Sequence, residues 1–325
     1  MKKAITFAVF LLTNLAAMPQ QPRVIFDSDM GPDYDDVGAI TLLHKFADEG
    51  RIRILATVAS TKYAGVACVL NVFNTYFRRP GIPVGVPKGN ALVLRDWQHW
   101  TDSVIRNYPH RITGNSDVPD AVSLYREILS AQPDKSVTII TVGFLTNLRN
   151  LLLSPPDSVS PLPGDQLVAR KVKKLVSMGG KFPSGSEFNL NRDPVSSKYV
   201  YEHWPSPVIF SGFEIGEKIL CGLPLIHDTG ILHNPVKDVF RICIPLAKED
   251  ANGRKSWDET AVLVAVMGYR KWFSLQKGTI VINPDGSNSW KPDPAGRQAY
   301  LVEKVPPVIL QQLIDRCIRH RPGGP

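Results

Sequence analysis

Five carboxylates fall within ten residues, Asp27-Ser28-Asp29-Met30-Gly31-Pro32-Asp33-Tyr34-Asp35-Asp36, directly after the apolar run Val24-Ile25-Phe26. Two like charges about 4 Å apart repel by about 4 kcal/mol at an effective dielectric of about 20, so acids this crowded must protonate, turn out into water or share a cation. The donors are all oxygen, with no Cys or His in the run, and that favours a hard ion, Ca²⁺ or Mg²⁺, over zinc. An EF-hand does not fit: counted from Asp27, the sixth position is Pro32 where glycine is required, and the twelfth is Gly38 where glutamate is required. Asp35 and Asp36 precede a helical pattern and complement its dipole, but that role uses only two of the five acids.

Such a cluster needs elements to aim it. Apolar runs at 24–26, 52–58, 137–142, 174–178 and 207–210 each end in small or polar residues and read as strands. Helical patterns at 36–48, 64–77, 118–131, 147–153 and 194–203 lie between them, and 306–320 carries a final apolar face. Strand and helix in alternation, with continuously apolar strands, predict an α/β fold: an open, mostly parallel central sheet flanked by helices on both faces. Ligands of such sheets sit outside the carboxyl ends of the strands, where the aspartates, Thr146 and the Gly179-Gly180 loop all fall. The Pro/Ser-rich stretch 154–164 reads as a surface loop, with no composition shift across it, so residues 22–325 are expected to form one domain.

Residues 1–20 read differently. Lys2-Lys3, the apolar run 4–12 and Leu15-Ala16-Ala17 with its two small alanines have the order of a secretory signal peptide, which makes the expected protein exported, periplasmic or secreted. No later stretch has the roughly 18 apolar residues of a membrane span. The formal charge of +8 comes from scattered basic residues, without the interleaved aromatics of a nucleic-acid groove, so no nucleic-acid partner is expected. Cys68, Cys221, Cys243 and Cys317 lack metal-ligand spacing, and Cys68 and Cys317 lie in apolar helical patterns that suit buried thiols.

Four motifs in one order carry a resemblance. Asp-x-Asp-x-Gly with Asp-Asp after a first strand; Gly143-Phe144-Leu145-Thr146-Asn147 after a middle strand; Met178-Gly179-Gly180 followed by Glu187-Phe188-Asn189 and Asp193-Pro194; and Trp257-Asp258-Glu259-Thr260-Ala261-Val262 together resemble the nucleoside hydrolase family over residues 23–270. The resemblance implies a Ca²⁺-dependent hydrolase of N-ribosidic bonds, acting on a small nucleoside or related N-riboside in purine or pyrimidine salvage, with a homo-oligomer as one allowed state. It further implies that Asp29, Asp36, the Thr146 carbonyl and Asp258 hold the ion. Asp29 would also be the general base that takes a proton from the attacking water. Asp35 would receive the ribose diol, and Glu187 and Asn189 the other sugar hydroxyls, close to the positive charge that develops on the sugar during cleavage.

The departures bear on substrate. The aspartate loop has two residues more than the commonest family spacing, so Asp33, Asp35 and Asp36 are alternatives for the two roles of that loop. Thr61 stands where members carry an asparagine, and no asparagine lies between Gly179 and Phe188. Trp257 replaces the histidine that protonates the leaving base; its ring is either a stacking surface for the base or part of the core. His99 and His110, near Trp97, Trp100 and Tyr108, are the remaining acid candidates. Two other readings stand beside hydrolysis. One is a sugar- or nucleoside-binding protein on the same fold with weakened catalysis. The other is a haloacid-dehalogenase-like phosphatase, suggested by Phe26-Asp27-Ser28-Asp29 but leaving Asp35-Asp36 unexplained.

Overall fold

The computed structural model describes residues 21–323, so the expected signal peptide at 1–20 lies outside the described residues. The strands in chain order are β1 Arg23–Ser28, β2 Arg53–Ala59, β3 Val84–Gly85, β4 Val137–Thr141, β5 Val172–Met178, β6 Ser184–Gly185, β7 Val208–Ser211, β8 Leu220–Cys221, β9 Arg254–Lys255, β10 Phe273–Ile282, β11 Asn288–Pro292 and β12 Gln298–Glu303. Ten of them form one sheet in the order β3-β2-β1-β4-β5-β7-β12-β10-β11-β6, while β8 and β9 pair as a separate small ribbon. From β3 to β12 every neighbouring pair is parallel, and β10, β11 and β6 extend the sheet antiparallel. The expected parallel α/β sheet is therefore present, with an antiparallel margin that the apolar runs did not announce.

The strands lie at the centre because of their side chains. Along β1, Val24 and Phe26 enter one apolar layer while Ile25 enters the other, and all three are fully buried. The first layer holds the helices Asp35–Asp48, Val66–Tyr76, Pro235–Leu246, Trp257–Met267 and Pro307–Ile318. The second holds Ala121–Ser130, Thr146–Leu153, Gly164–Lys171 and Pro194–His203. A strand apolar on both faces can be stable only with helices on both faces, and this one has them. The four cysteines are free and buried. Among the described residues no helix is long and apolar enough to cross a membrane.

The order of the strands creates one crevice. Chain progress runs outward from β1 through β2 to β3 on one side and from β4 through β5 to β7 on the other. Connections that diverge in this way leave the carboxyl ends of β1 and β4 uncovered, the place where open α/β sheets bind ligands.

Candidate metal and ligand site

The crevice is built by the end of β1 and the acidic turn that leads from it into the first helix. Ser60 N–H donates to the Ser28 carbonyl (2.8 Å) and Val142 N–H to the Asp27 carbonyl (2.9 Å), so the exits of β2 and β4 clamp the exit of β1. A Cβ on Gly143 would lie 2.5 Å from the Asp29 nitrogen, so only glycine lets the chain leave β4 this close to the first acid of the site. After the turn, the helix Asp35–Asp48 starts with two buried acids. Its Gly38 lies where a Cβ would come 1.9 Å from Glu259 Oε1, and that missing atom brings the helix against Trp257–Met267, which carries Asp258.

Three carboxylates converge as a result. One oxygen from each of Asp35, Asp36 and Asp258 lies within 4.8 Å of the others, all three buried. Asp29, equally buried, lines the same cavity but is not one of the three acids whose oxygens meet within 4.8 Å. Burial first, and then the neighbouring carboxylates, push the Asp29, Asp36 and Asp258 carboxyls well above the usual range. Asp36 accepts from Ser28 Oγ at 2.5 Å on one oxygen, and its other oxygen is buried with no partner. An orphaned carboxylate oxygen inside a protein is costly, and a hard divalent cation among these oxygens would satisfy it and offset the mutual repulsion. The donor set fits such an ion.

Asp35 differs from its neighbours. Burial raises it to about 6, with the Arg254 guanidinium pulling the other way. Arg254 Nη2 donates to Asp35 Oδ1 at 2.8 Å, and the backbone N–H of Asp258 donates to Asp35 Oδ2 at 3.2 Å. The same guanidinium pairs with Asp33 and reaches Asp250 Oδ2 at 3.4 Å. Asp27 lies behind the site: Tyr125 Oη donates to it at 2.8 Å and Asn147 Nδ2 at 3.2 Å, while burial lifts it to about 7. Asn147 also donates to the Ala59 carbonyl at 2.8 Å, so Asp27 ties β1 to β2 and to the helix after β4.

The acids open into a cavity of about 230 Å³. Asp29, Asp35, Asp36, Glu187, Asn189, Trp257 and Asp258 all line it, together with Asp33, Met178, Phe188, Phe213 and Arg254. Glu187 caps the short helix Phe188–Arg192: its oxygens accept from the N–H groups of Asn189 (2.8 Å), Leu190 (3.1 Å) and Gly180 (3.2 Å). Asn189 Nδ2 donates to the Val142 carbonyl at 3.0 Å, which leaves its amide oxygen for the cavity. Trp257 is half-buried, its indole N–H held by the Phe213 carbonyl at 2.9 Å and its ring 5.1 Å from that of Phe213.

Other expected residues stand elsewhere. Thr146 begins the helix Thr146–Leu153, donates its hydroxyl to Asp193 Oδ2 at 2.7 Å and is not among the residues that line the cavity. Thr61 donates to the carbonyls of Leu92 and Leu94, both at 3.1 Å, and so pins the segment that crosses the carboxyl end of β2. Neither His99, 72% exposed, nor His110, bonded to the Tyr108 carbonyl, lines the cavity, and the other five histidines do not either. Arg254, Phe213 and Phe188 were not anticipated from the sequence.

Residues 24–295 match the family model described as inosine-uridine preferring nucleoside hydrolase. Over 236 residues the chain is 26% identical to the pyrimidine-specific ribonucleoside hydrolase RihA of Shewanella sp. (strain ANA-3), covering 69% of this chain and 66% of that protein. It is 24% identical over 216 residues to the inosine-uridine preferring nucleoside hydrolase of Crithidia fasciculata, covering 63% of this chain and 64% of the relative. These matches span slightly less than two thirds of either relative's length. The fold is similar to that of the plant nucleoside hydrolase PpNRh1, with a TM-score of 0.69 and 18% identity over 92% of this chain and 99% of the other. It is also similar to the purine-preferring ribonucleoside hydrolase from Gardnerella vaginalis, with a TM-score of 0.68 and 16% identity over 91% and 98% of the two chains.

Proposed function

Since this chain belongs to the inosine-uridine preferring nucleoside hydrolase family, we propose that it hydrolyses the N-glycosidic bond of a ribonucleoside or related N-riboside in a calcium-dependent reaction. The observation that carries the reading is the convergence of buried Asp35, Asp36 and Asp258 beside Asp29 in one cavity at the carboxyl ends of β1 and β4. Asp29, Asp36 and Asp258 would hold the ion; the Thr146 carbonyl, which the resemblance adds to this set, belongs to a residue outside the cavity lining. When bound, calcium supplies positive charge that keeps these carboxylates ionised and makes a nearby water more acidic.

The remaining steps belong to the chain's own side chains. Asp29 takes the proton of the water that attacks the anomeric carbon, the C–N bond breaks with its electron pair going to the base, and the base takes its proton from solvent, since no histidine lines the cavity. Asp35 accepts hydrogen bonds from the ribose diol. Asn189 offers its amide oxygen to a further hydroxyl. Glu187, its oxygens spent on backbone N–H groups, acts through its fixed negative charge beside the sugar as positive charge develops there. Trp257 and Phe213 form the apolar wall for the base. The pattern of residues 1–20 supports export, which mass determination of the mature N-terminus would check.

Base release from a panel of ribonucleosides and 2′-deoxyribonucleosides, with calcium and with a chelator, tests the proposal. Calcium-dependent release confined to ribosides is the expected result. Calcium and riboside binding with no release from any member would replace it with a binding protein on this fold.

A further inference from the structure

We propose that Arg254 is a positioning residue that divides the converging carboxylates between two tasks, holding Asp35 for the sugar and leaving Asp36 and Asp258 for the cation. Both the calcium at Asp36 and Asp258 and the ribose diol at Asp35 rest on the functional reading above.

Arg254 comes from the small β8–β9 ribbon, outside the main sheet, and is 7% exposed. Its guanidinium lies between two rings, 4.7 Å from the centre of Tyr34 and 5.0 Å from that of Trp257, so its plane is fixed. Tyr34 is itself anchored through its hydroxyl to Asp250 at 2.6 Å, and Asp250 faces the guanidinium as well. From this mount Arg254 directs Nη2 (2.8 Å) and Nε (3.3 Å) at the same oxygen of Asp35. The second oxygen of Asp35 takes the Asp258 N–H.

Each Asp35 oxygen therefore has a protein donor before any ligand arrives, while Asp36 keeps a buried oxygen with none. A fixed positive charge against Asp35 makes that corner of the cluster the least favourable for a dication. A sugar hydroxyl, in contrast, needs only a remaining lone pair, and an ion-paired carboxylate still has one on each oxygen. Burying an arginine among three carboxylates is a weak stabilising device in itself, whereas fixing one acid's orientation next to a cation site is a task that a planar fork performs well.

The test uses the full mature protein and the variants Arg254→Gln and Arg254→Lys. Calcium affinity is measured by chelator competition, and kcat and KM are measured on a riboside the wild type cleaves and on its 2′-deoxy analogue. With glutamine, calcium should bind about fivefold more tightly or better, because a neighbouring positive charge is gone. The same variant should lose about 100-fold or more in kcat/KM on the riboside, chiefly through KM, and should discriminate less against the 2′-deoxy analogue. Lysine restores the charge without the fork: calcium affinity should return to within about twofold of wild type while KM stays raised. A purely structural role would weaken calcium binding and lower kcat on both sugars alike. That outcome, or unchanged calcium affinity with glutamine, overturns the proposal. Should Arg254→Gln fail to fold, the sugar discrimination of Arg254→Lys decides alone, and wild-type discrimination there overturns it. If the wild type cleaves no riboside, the functional reading fails, and the calcium comparison still decides whether Arg254 excludes Asp35 from the ion.

Discussion

Asp29 stands one residue beyond β1, buried, with Asp36, Asp33 and Asp35 near enough to drive its carboxyl upward. Burial and those neighbouring charges favour the protonated form of such a base, and a cation among the carboxylates favours the ionised form, so the proposed base and the proposed metal site act as one device. Asp29→Asn keeps the shape and removes the base. At saturating calcium it should lower kcat by about 10²-fold to 10⁴-fold; near-native turnover would show that another group takes the proton. The acids of this device were legible in the sequence because carboxylates so crowded repel one another unless a cation joins them, and Asp258 was reached through the resemblance. Arg254 was not legible. Asn252-Gly253-Arg254-Lys255-Ser256 reads as an ordinary basic turn, and the arginine's partner Asp35 is 219 positions away. The one signal for it was the charge count itself, since five acids in a run ask for countercharge from side chains as well as from an ion. Glu187 shows the converse: the motif pointed to sugar contact, but its oxygens cap a helix, a use that depends on the path of the backbone.

At the scale of elements, the parallel strands were readable because each is apolar on both faces, and the helices between them because their apolar faces repeat at helical spacing. The antiparallel margin was not. In β10 burial alternates over the Gly278–Ile282 half and polar residues fill most of the exposed positions, and its partner β11 comes after a tight turn closed by Gly286 N–H to the Asn283 carbonyl at 3.0 Å. Half-exposed strands give a weaker pattern than buried ones, and the largely polar helix Gly164–Lys171 was missing from the helical patterns altogether. The element most exposed to failure is the exit of β4, where Gly143 passes Asp29 and a Cβ would also lie 2.4 Å from Ser60 Oγ. Gly143→Ala must move backbone rather than a side-chain tip. It should therefore shift Asp29 off its position and lower kcat/KM by about 10²-fold, a loss that misplacement of roughly 1 Å can produce. Activity within a few-fold of wild type would mean that the β1 and β4 exits are not rigidly coupled.

Over the whole molecule, the site and the stability share one helix. Asp35–Asp48 is buried along most of its length and packs between Trp257–Met267 and Pro307–Ile318 in one apolar layer. Packing of that layer forces Asp35 and Asp36 toward Asp258 whether or not a cation is present, so folding without the ion works against carboxylate repulsion. Two consequences can be separated by one pair of melting curves. On the proposed function calcium would bind only the assembled site, so at 100 times its dissociation constant it should raise wild-type stability by about 2.7 kcal/mol, a shift of several degrees. Asp36→Asn removes one charge, keeps an oxygen for Ser28 Oγ and puts an amide N–H where the orphaned oxygen was. In chelator this variant should melt above the wild type, because the repulsion and the bare acceptor are both relieved; in calcium it should melt below, because it has lost a ligand. A variant that melts lower under both conditions would mean that Asp36 supports the fold in its own right, and that the cluster is not held together against its own charge.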